Sequence, residues 1–124
     1  MKKLLGILVL GLLWCNVGFA ISLENILEQA NKYTVIIYNS IEKPFIEDGY
    51  GGSGTGFLVD KKKGLIITNS HVAGRSPAFN EISFKNQESI PAKQVYIDPE
   101  LDLAILKVDP TLIPKDAIEG KMQC

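Results

Sequence analysis

The chain holds a single histidine, His71, in the run Thr68-Asn69-Ser70-His71-Val72-Ala73-Gly74. Imidazole is the side chain whose unperturbed titration falls near neutrality, which makes His71 the first candidate for a proton acceptor. A base needs partners that orient it, and a histidine without them is more often a structural or surface residue. Thirty-one residues further on lies Asp102, within Leu101-Asp102-Leu103-Ala104-Ile105-Leu106. An acid in so apolar a strand-like run either faces solvent from an edge strand or is buried and paired, because desolvating a lone carboxylate costs several kcal/mol. If it is paired, its natural partner is the only imidazole. No nucleophile accompanies the two. Residues 103–124 contain no serine; Thr111, beside Pro110, reads as a turn residue, and Cys124 at the end has nothing to position its thiol. One histidine with scattered carboxylates offers no metal-ligand cluster, and Glu47-Asp48 reads as a solvated loop pair, so no metal and no cofactor is expected.

The elements that must place these residues follow from hydrophobic spacing. Ser22 precedes Leu23, Ile26, Leu27 and Ala30, whose intervals of three and four predict a short helix within 21–32, capped by Ser22 and with its apolar stripe covering its own core. Tyr33–Tyr38 is β-branched and aromatic and reads as a strand. Residues 41–52, with Pro44, Asp48, Gly51 and Gly52, read as a loop. Phe57-Leu58-Val59 and Leu65-Ile66-Ile67-Thr68 flank a charged turn, Asp60 to Gly64, as the arms of a hairpin whose three lysines are solvated. Ile82 with Phe84, Val95 with Ile97, and the run Leu101–Val108 complete about six strands. Short strands at such close spacing indicate an all-β sandwich or small antiparallel barrel, since closure removes exposed sheet edges. The barrel is expected over 33–110, and 111–124 reads as the start of a truncated linker.

Composition narrows the function classes. With 46% hydrophobic and 22% charged residues in 124, the chain suits one small globular domain. Residues 1–20 set Lys2 and Lys3 before an apolar run from Leu4 to Trp14, then Gly18 and Ala20, the pattern of a secretory signal peptide cut after Ala20. That run is shorter than the roughly 20 residues needed to cross a bilayer, so membrane contact is expected only through an uncleaved signal segment. Lipidation at Cys15 is disfavoured by the bulky Trp14 before it. Removing the leader leaves 11 basic against 14 acidic residues and no basic surface for nucleic acid. It also leaves Cys124 alone, so no internal disulfide staples the fold.

Three ordered blocks carry a resemblance: Gly-Ser-Gly-Thr-Gly-Phe-Leu-Val-Asp at 52–60, Gly-Leu-Ile-Ile-Thr-Asn-Ser-His-Val-Ala-Gly at 64–74, and Asp-Pro-Glu-Leu-Asp-Leu-Ala-Ile-Leu-Lys-Val-Asp at 98–109. Across roughly residues 33–110 the chain resembles trypsin-like serine proteases of the HtrA/DegP type. The resemblance implies a trypsin-like six-stranded antiparallel barrel, the first of the usual two, and it places His71 as general base and Asp102 as the carboxylate orienting it. Gly52, Gly54 and Gly56 would then let their strand pack closely against its neighbours. In that family the second barrel supplies the serine, the oxyanion donors and the specificity pocket. Ser53 and Ser70 fall in blocks that the resemblance assigns to the first barrel, and neither corresponds to the catalytic serine.

The resemblance therefore implies the N-terminal part of an exported serine endopeptidase that cuts unfolded or misfolded exported proteins, periplasmic or secreted, and compatible with a homo-oligomer. By itself the chain is expected to be inactive, because nucleophile and oxyanion hole are both missing from it. The alternative is a non-catalytic pseudoprotease, or a chaperone-like module binding hydrophobic segments on the face that would meet a partner barrel.

Overall fold

A computed structural model describes residues 3, 6, 22–41, 50–74 and 78–121, the side chains of residues 41 and 50 excepted. The signal-peptide reading of 1–20 falls almost wholly outside these residues, as do Glu47-Asp48 and Cys124. The chain divides into two compact units, residues 1–30 and 31–124.

In the first unit residues 22–30 are helical, within a helix, α1, that runs over 22–33. A helix is present, but Ser22 lies within it and is not its N-cap, and its stripe is not covered: Leu23, Ile26 and Leu27 are 48%, 61% and 56% exposed. Among the described residues no helix is long and apolar enough to cross a membrane.

The second unit is a closed barrel of six antiparallel strands. They are β1 (Thr34–Ile41), β2 (Tyr50–Asp60), β3 (Leu65–Thr68), β4 (Phe79–Phe84), β5 (Ile90–Asp98) and β6 (Leu103–Lys107), in the spatial order β1-β2-β3-β6-β5-β4. Closure comes from β1, which pairs with β2 on one edge and β4 on the other, setting Ile37 opposite both Gly54 and Ile82. The period of two decides which face is inside. Val35, Ile37 and Asn39 of β1 point inward while Ile36 and Tyr38 point out, and Ile82 with Phe84 and Ala104 with Leu106 do the same in β4 and β6. These side chains join Leu58 and Ile66 in one core. The expectation of a six-stranded trypsin-like barrel holds.

Two boundaries differ from the expectation. Tyr33 ends α1 instead of opening β1, and β2 begins at Tyr50, so Gly51 and Gly52 belong to a strand and not to a loop. Glycine content reads as turn chemistry in a sequence, whereas in β2 close approach requires it at some positions and not at others. A Cβ on Gly56 would lie 2.7 Å from Ile37 Cδ1 and 2.9 Å from Ile66 Cγ2, and one on Gly54 would meet Val72, but one on Gly52 would meet nothing. The implied tight packing therefore holds at Gly54 and Gly56 alone.

Packing also continues past Pro110. Pro110–Leu112 forms a single 3-10 turn, η1, and Ile113 and Ala117 are buried in the barrel core at 7% and 5% exposure. The Gly120 amide donates to the Leu58 carbonyl at 2.7 Å, and Lys61 Nζ donates to the carbonyls of Lys115 and Ala117 at 2.9 and 2.7 Å. Lys61 is thus a clasp for this segment, while Lys62 and Lys63 stay exposed as expected.

Candidate active site

The site is built by the chain leaving β3 and the chain entering β6, which are paired neighbours in the sheet, with Thr68 opposite Ala104. Thr68 ends β3 with its hydroxyl on the Thr55 carbonyl at 2.8 Å. Asn69 then takes an extended conformation and serves as N-cap to one helical turn, α2 (Ser70–Ala73). A single turn suffices to separate roles: Ser70 and Ala73 are buried, and His71 between them is exposed.

Two contacts hold this turn against the barrel. Gly54 leaves room for Val72, since a Cβ there would lie 2.5 Å from Val72 Cγ1. Asn39 of β1, almost buried, donates through Nδ2 to the Val72 carbonyl at 3.2 Å. The turn closes at Gly74, whose φ of 75° and direct contact with the Asn39 amide both exclude a side chain.

Asp102 lies outside the strand where the apolar run Leu101–Val108 suggested it. β6 begins at Leu103; residues 99–102 form a turn, and Asp102 has φ of 51°. The cause is local chemistry: the Asp98 carboxylate accepts the amides of Glu100 and Leu101, both at 3.0 Å, which bends the chain as an Asx-type turn. Leu101 is consequently 74% exposed, so its part in the apolar run did not signal burial.

From that turn Asp102 meets the α2 segment at several points. His71 N–H and Ser70 Oγ–H donate to Oδ1 at 3.0 and 2.8 Å, and His71 Nδ1 lies 2.7 Å from Oδ2. Asn69 Nδ2 donates to the Asp102 backbone carbonyl at 3.1 Å. The carboxyl pKa is lowered to about 2, first by the His71 backbone hydrogen bond, then by the Ser70 hydroxyl, with the His71 ring adding to them and partial desolvation opposing them. Neither alternative holds as stated: Asp102 is paired with His71 but is not buried, its side chain being 43% exposed and the His71 ring 71% exposed.

With Asp102 ionised and acceptor-only, Nδ1 carries the proton in the neutral ring, and the lone pair falls on Nε2. A cleft of about 260 Å³ adjoins the ring, bounded by Asn39, Gly51, Gly52, Ser53 and Val72. Such an arrangement can accept a proton at Nε2 and stabilise the resulting imidazolium. Of the other hydroxyls singled out, Ser70 is engaged with Asp102 within the site and Thr111 with Asp109 Oδ1 at 2.7 Å, while Ser53 lines the cleft beside His71. Thr111 is the turn residue its surroundings suggested. Among the described residues no three metal-ligating side chains gather. Asn39 and Asp98 went unread in the sequence. For Asp98 the signal was present, an acid two residues ahead of the turn amides it caps; an asparagine in a strand carries no comparable mark.

The family model of the trypsin-like peptidase domain matches residues 54–119, which run from within β2 past η1 and include both members of the pair. The chain belongs to the trypsin-like peptidase family. Similar proteins include Pro-apoptotic serine protease NMA111 of Chaetomium globosum, 46% identical over 67 residues covering 52% of the chain and 6% of that protein. Protease Do-like 7 of Arabidopsis thaliana is 38% identical over 80 residues, 64% of the chain and 7% of its own length. NMA111 of Saccharomyces cerevisiae is 35% identical over 98 residues, 78% of the chain and 10% of its own. The chain thus spans a tenth or less of the length of these relatives. A trypsin-like barrel of HtrA type accounts for both the match and the six-strand closure.

Proposed function

We propose that the chain is the first barrel of an exported HtrA-type serine endopeptidase, in which His71 is the general base and Asp102 the carboxylate that orients it. The serine would come from a second barrel outside residues 1–124. The observation that carries this reading is the 2.7 Å contact of His71 Nδ1 with Asp102 Oδ2, in a chain of the trypsin-like family. The chemistry then follows. A serine hydroxyl placed at Nε2 gives up its proton as its oxygen attacks a peptide carbonyl, and Asp102 stabilises the imidazolium that forms. Backbone N–H groups of the second barrel hold the oxyanion, His71 returns the proton to the leaving amine, and water repeats the sequence on the acyl-enzyme.

The exposed edges of His71 and Asp102 form the surface that a second barrel would cover. Export is supported by the leader-like residues 1–20, and unfolded exported proteins are the substrates the reading assigns. The test is hydrolysis of unfolded casein by the chain mixed with a serine-bearing second barrel of HtrA type. Turnover lost in His71→Ala supports the reading, and turnover indifferent to that exchange contradicts it.

A second reading, a non-catalytic module binding hydrophobic segments, draws on one observation. Phe79, Val95 and Tyr96 are 61%, 49% and 47% exposed beside a cleft of about 590 Å³ between β4 and β5. Binding of an unfolded client that persists in His71→Ala and is lost in Phe79→Ser would favour it.

A further inference from the structure

We propose that Ser70 is a positioning residue for the His71–Asp102 pair: its hydroxyl fixes the plane of the Asp102 carboxylate so that Oδ2 stays on the imidazole. The inference rests on the reading of that pair as base and orienting acid, but its geometry stands in the chain itself. Ser70 is 9% exposed, opens α2, and its Oγ–H reaches Asp102 Oδ1 at 2.8 Å. The same oxygen accepts the His71 amide at 3.0 Å, so one carboxylate oxygen is tied by two neighbouring residues while the other is left to Nδ1.

Two donors do what one would not. The terminal torsion of an aspartate is broad and roughly two-fold, so a single amide bond to Oδ1 leaves the carboxylate plane free to swing. A second donor from another direction removes that freedom. The need is acute here because the carboxylate is 43% exposed, and water competes with the imidazole for Oδ2. The backbone of the same residue is gripped as well, by Asn69 Nδ2 on the Asp102 carbonyl at 3.1 Å. The Asp98 carboxylate accepts the amides of Glu100 and Leu101 and, as an acceptor, cannot replace the Ser70 hydroxyl as a donor.

The test is nuclear magnetic resonance of the isotopically labelled chain at neutral pH, reading the His71 Nδ1–H signal in the parent and in Ser70→Ala, Ser70→Cys and Ser70→Thr. Ser70→Ala is expected to exchange this proton with solvent about fivefold faster, the loss of one modest hydrogen bond. Ser70→Thr is expected to restore the parent rate. Ser70→Cys fills the same space with a weak donor, so it follows Ser70→Ala and supplies the reading if Ser70→Ala does not fold. Strand amides of β1 and β6 report the fold in each. Parent-like exchange in a folded Ser70→Ala or Ser70→Cys, or failure of Ser70→Thr to restore it, overturns the proposal. Because the readout needs no second barrel, this result and the proteolysis result can each fail without the other.

Discussion

Asp102 is joined to His71 twice, through the backbone amide at Oδ1 and through ring Nδ1 at Oδ2, at 3.0 and 2.7 Å. The amide bond, together with the Ser70 hydroxyl on the same oxygen, places the carboxylate, and the ring bond fixes the tautomer. A change at either residue therefore disturbs both position and proton.

Asp102→Asn keeps the shape but can present an amide N–H to Nδ1, which favours the tautomer with its proton on Nε2. In a trypsin-like triad that exchange lowers kcat by about 10⁴-fold. We expect a loss of that order in the assembled protease, with KM little changed, measured on a short peptide substrate. A loss under about tenfold would mean that Asp102 does not hold the tautomer.

The depressed carboxyl pKa of Asp102 makes a pH prediction. A folded value of about 2 against an ordinary 3.8 means the ionised form is favoured by folding. Its stabilising effect is present above about 3.8 and is lost as pH falls through about 2. Asp109, lowered by the Thr111 hydroxyl and amide, adds to the same trend. Thermal melts between pH 5 and pH 2 should show Tm falling less steeply with acid in Asp102→Asn than in the parent; equal slopes would contradict the assignment.

Gly56 and Gly52 differ by surroundings alone. Gly56→Ala forces a methyl between Ile37 and Ile66 and is expected to destabilise by about 1–3 kcal/mol, whereas Gly52→Ala, facing open space, should stay within about 0.5 kcal/mol. Urea unfolding monitored by circular dichroism separates them.

The segment after β6 is predicted to be part of the folded unit. Ile113→Ala, at a side chain 7% exposed, should cost about 2–3 kcal/mol, and Leu112→Ala next to it, 50% exposed, should cost well under 1 kcal/mol. Equal effects in denaturant titrations would mean the segment is not packed as described.

Much of this was legible in the sequence because alternation reports burial directly. Ile82 with Phe84 and Ala104 with Leu106 behave as their spacing says, whereas Val95 and Ile97 do not share a buried face, because a register shift between Gln94 and Tyr96 leaves Val95 49% exposed while Ile97 packs on the core. His71 and Asp102 were legible as residue types in ordered blocks. What escaped was set by tertiary contact. Gly51 and Gly52 read as loop because nothing local shows a glycine opposite β1, and Asp102 read as strand because apolar neighbours concealed the turn made by Asp98. Ile113 and Ala117 lie in a stretch without periodicity, and contacts distant in sequence, among them the Lys61 clasp and the Gly120 amide on Leu58, hold the segment where they are buried.

The central claim is that His71, held by Asp102, activates a serine supplied by another barrel. Its most direct test is labelling of that serine by a fluorophosphonate, which reacts with a hydroxyl activated by a base. A serine-bearing second barrel of HtrA type should be labelled when mixed with this chain and should lose that labelling with His71→Ala. Labelling of equal rate with His71→Ala, from folded samples, would contradict the account.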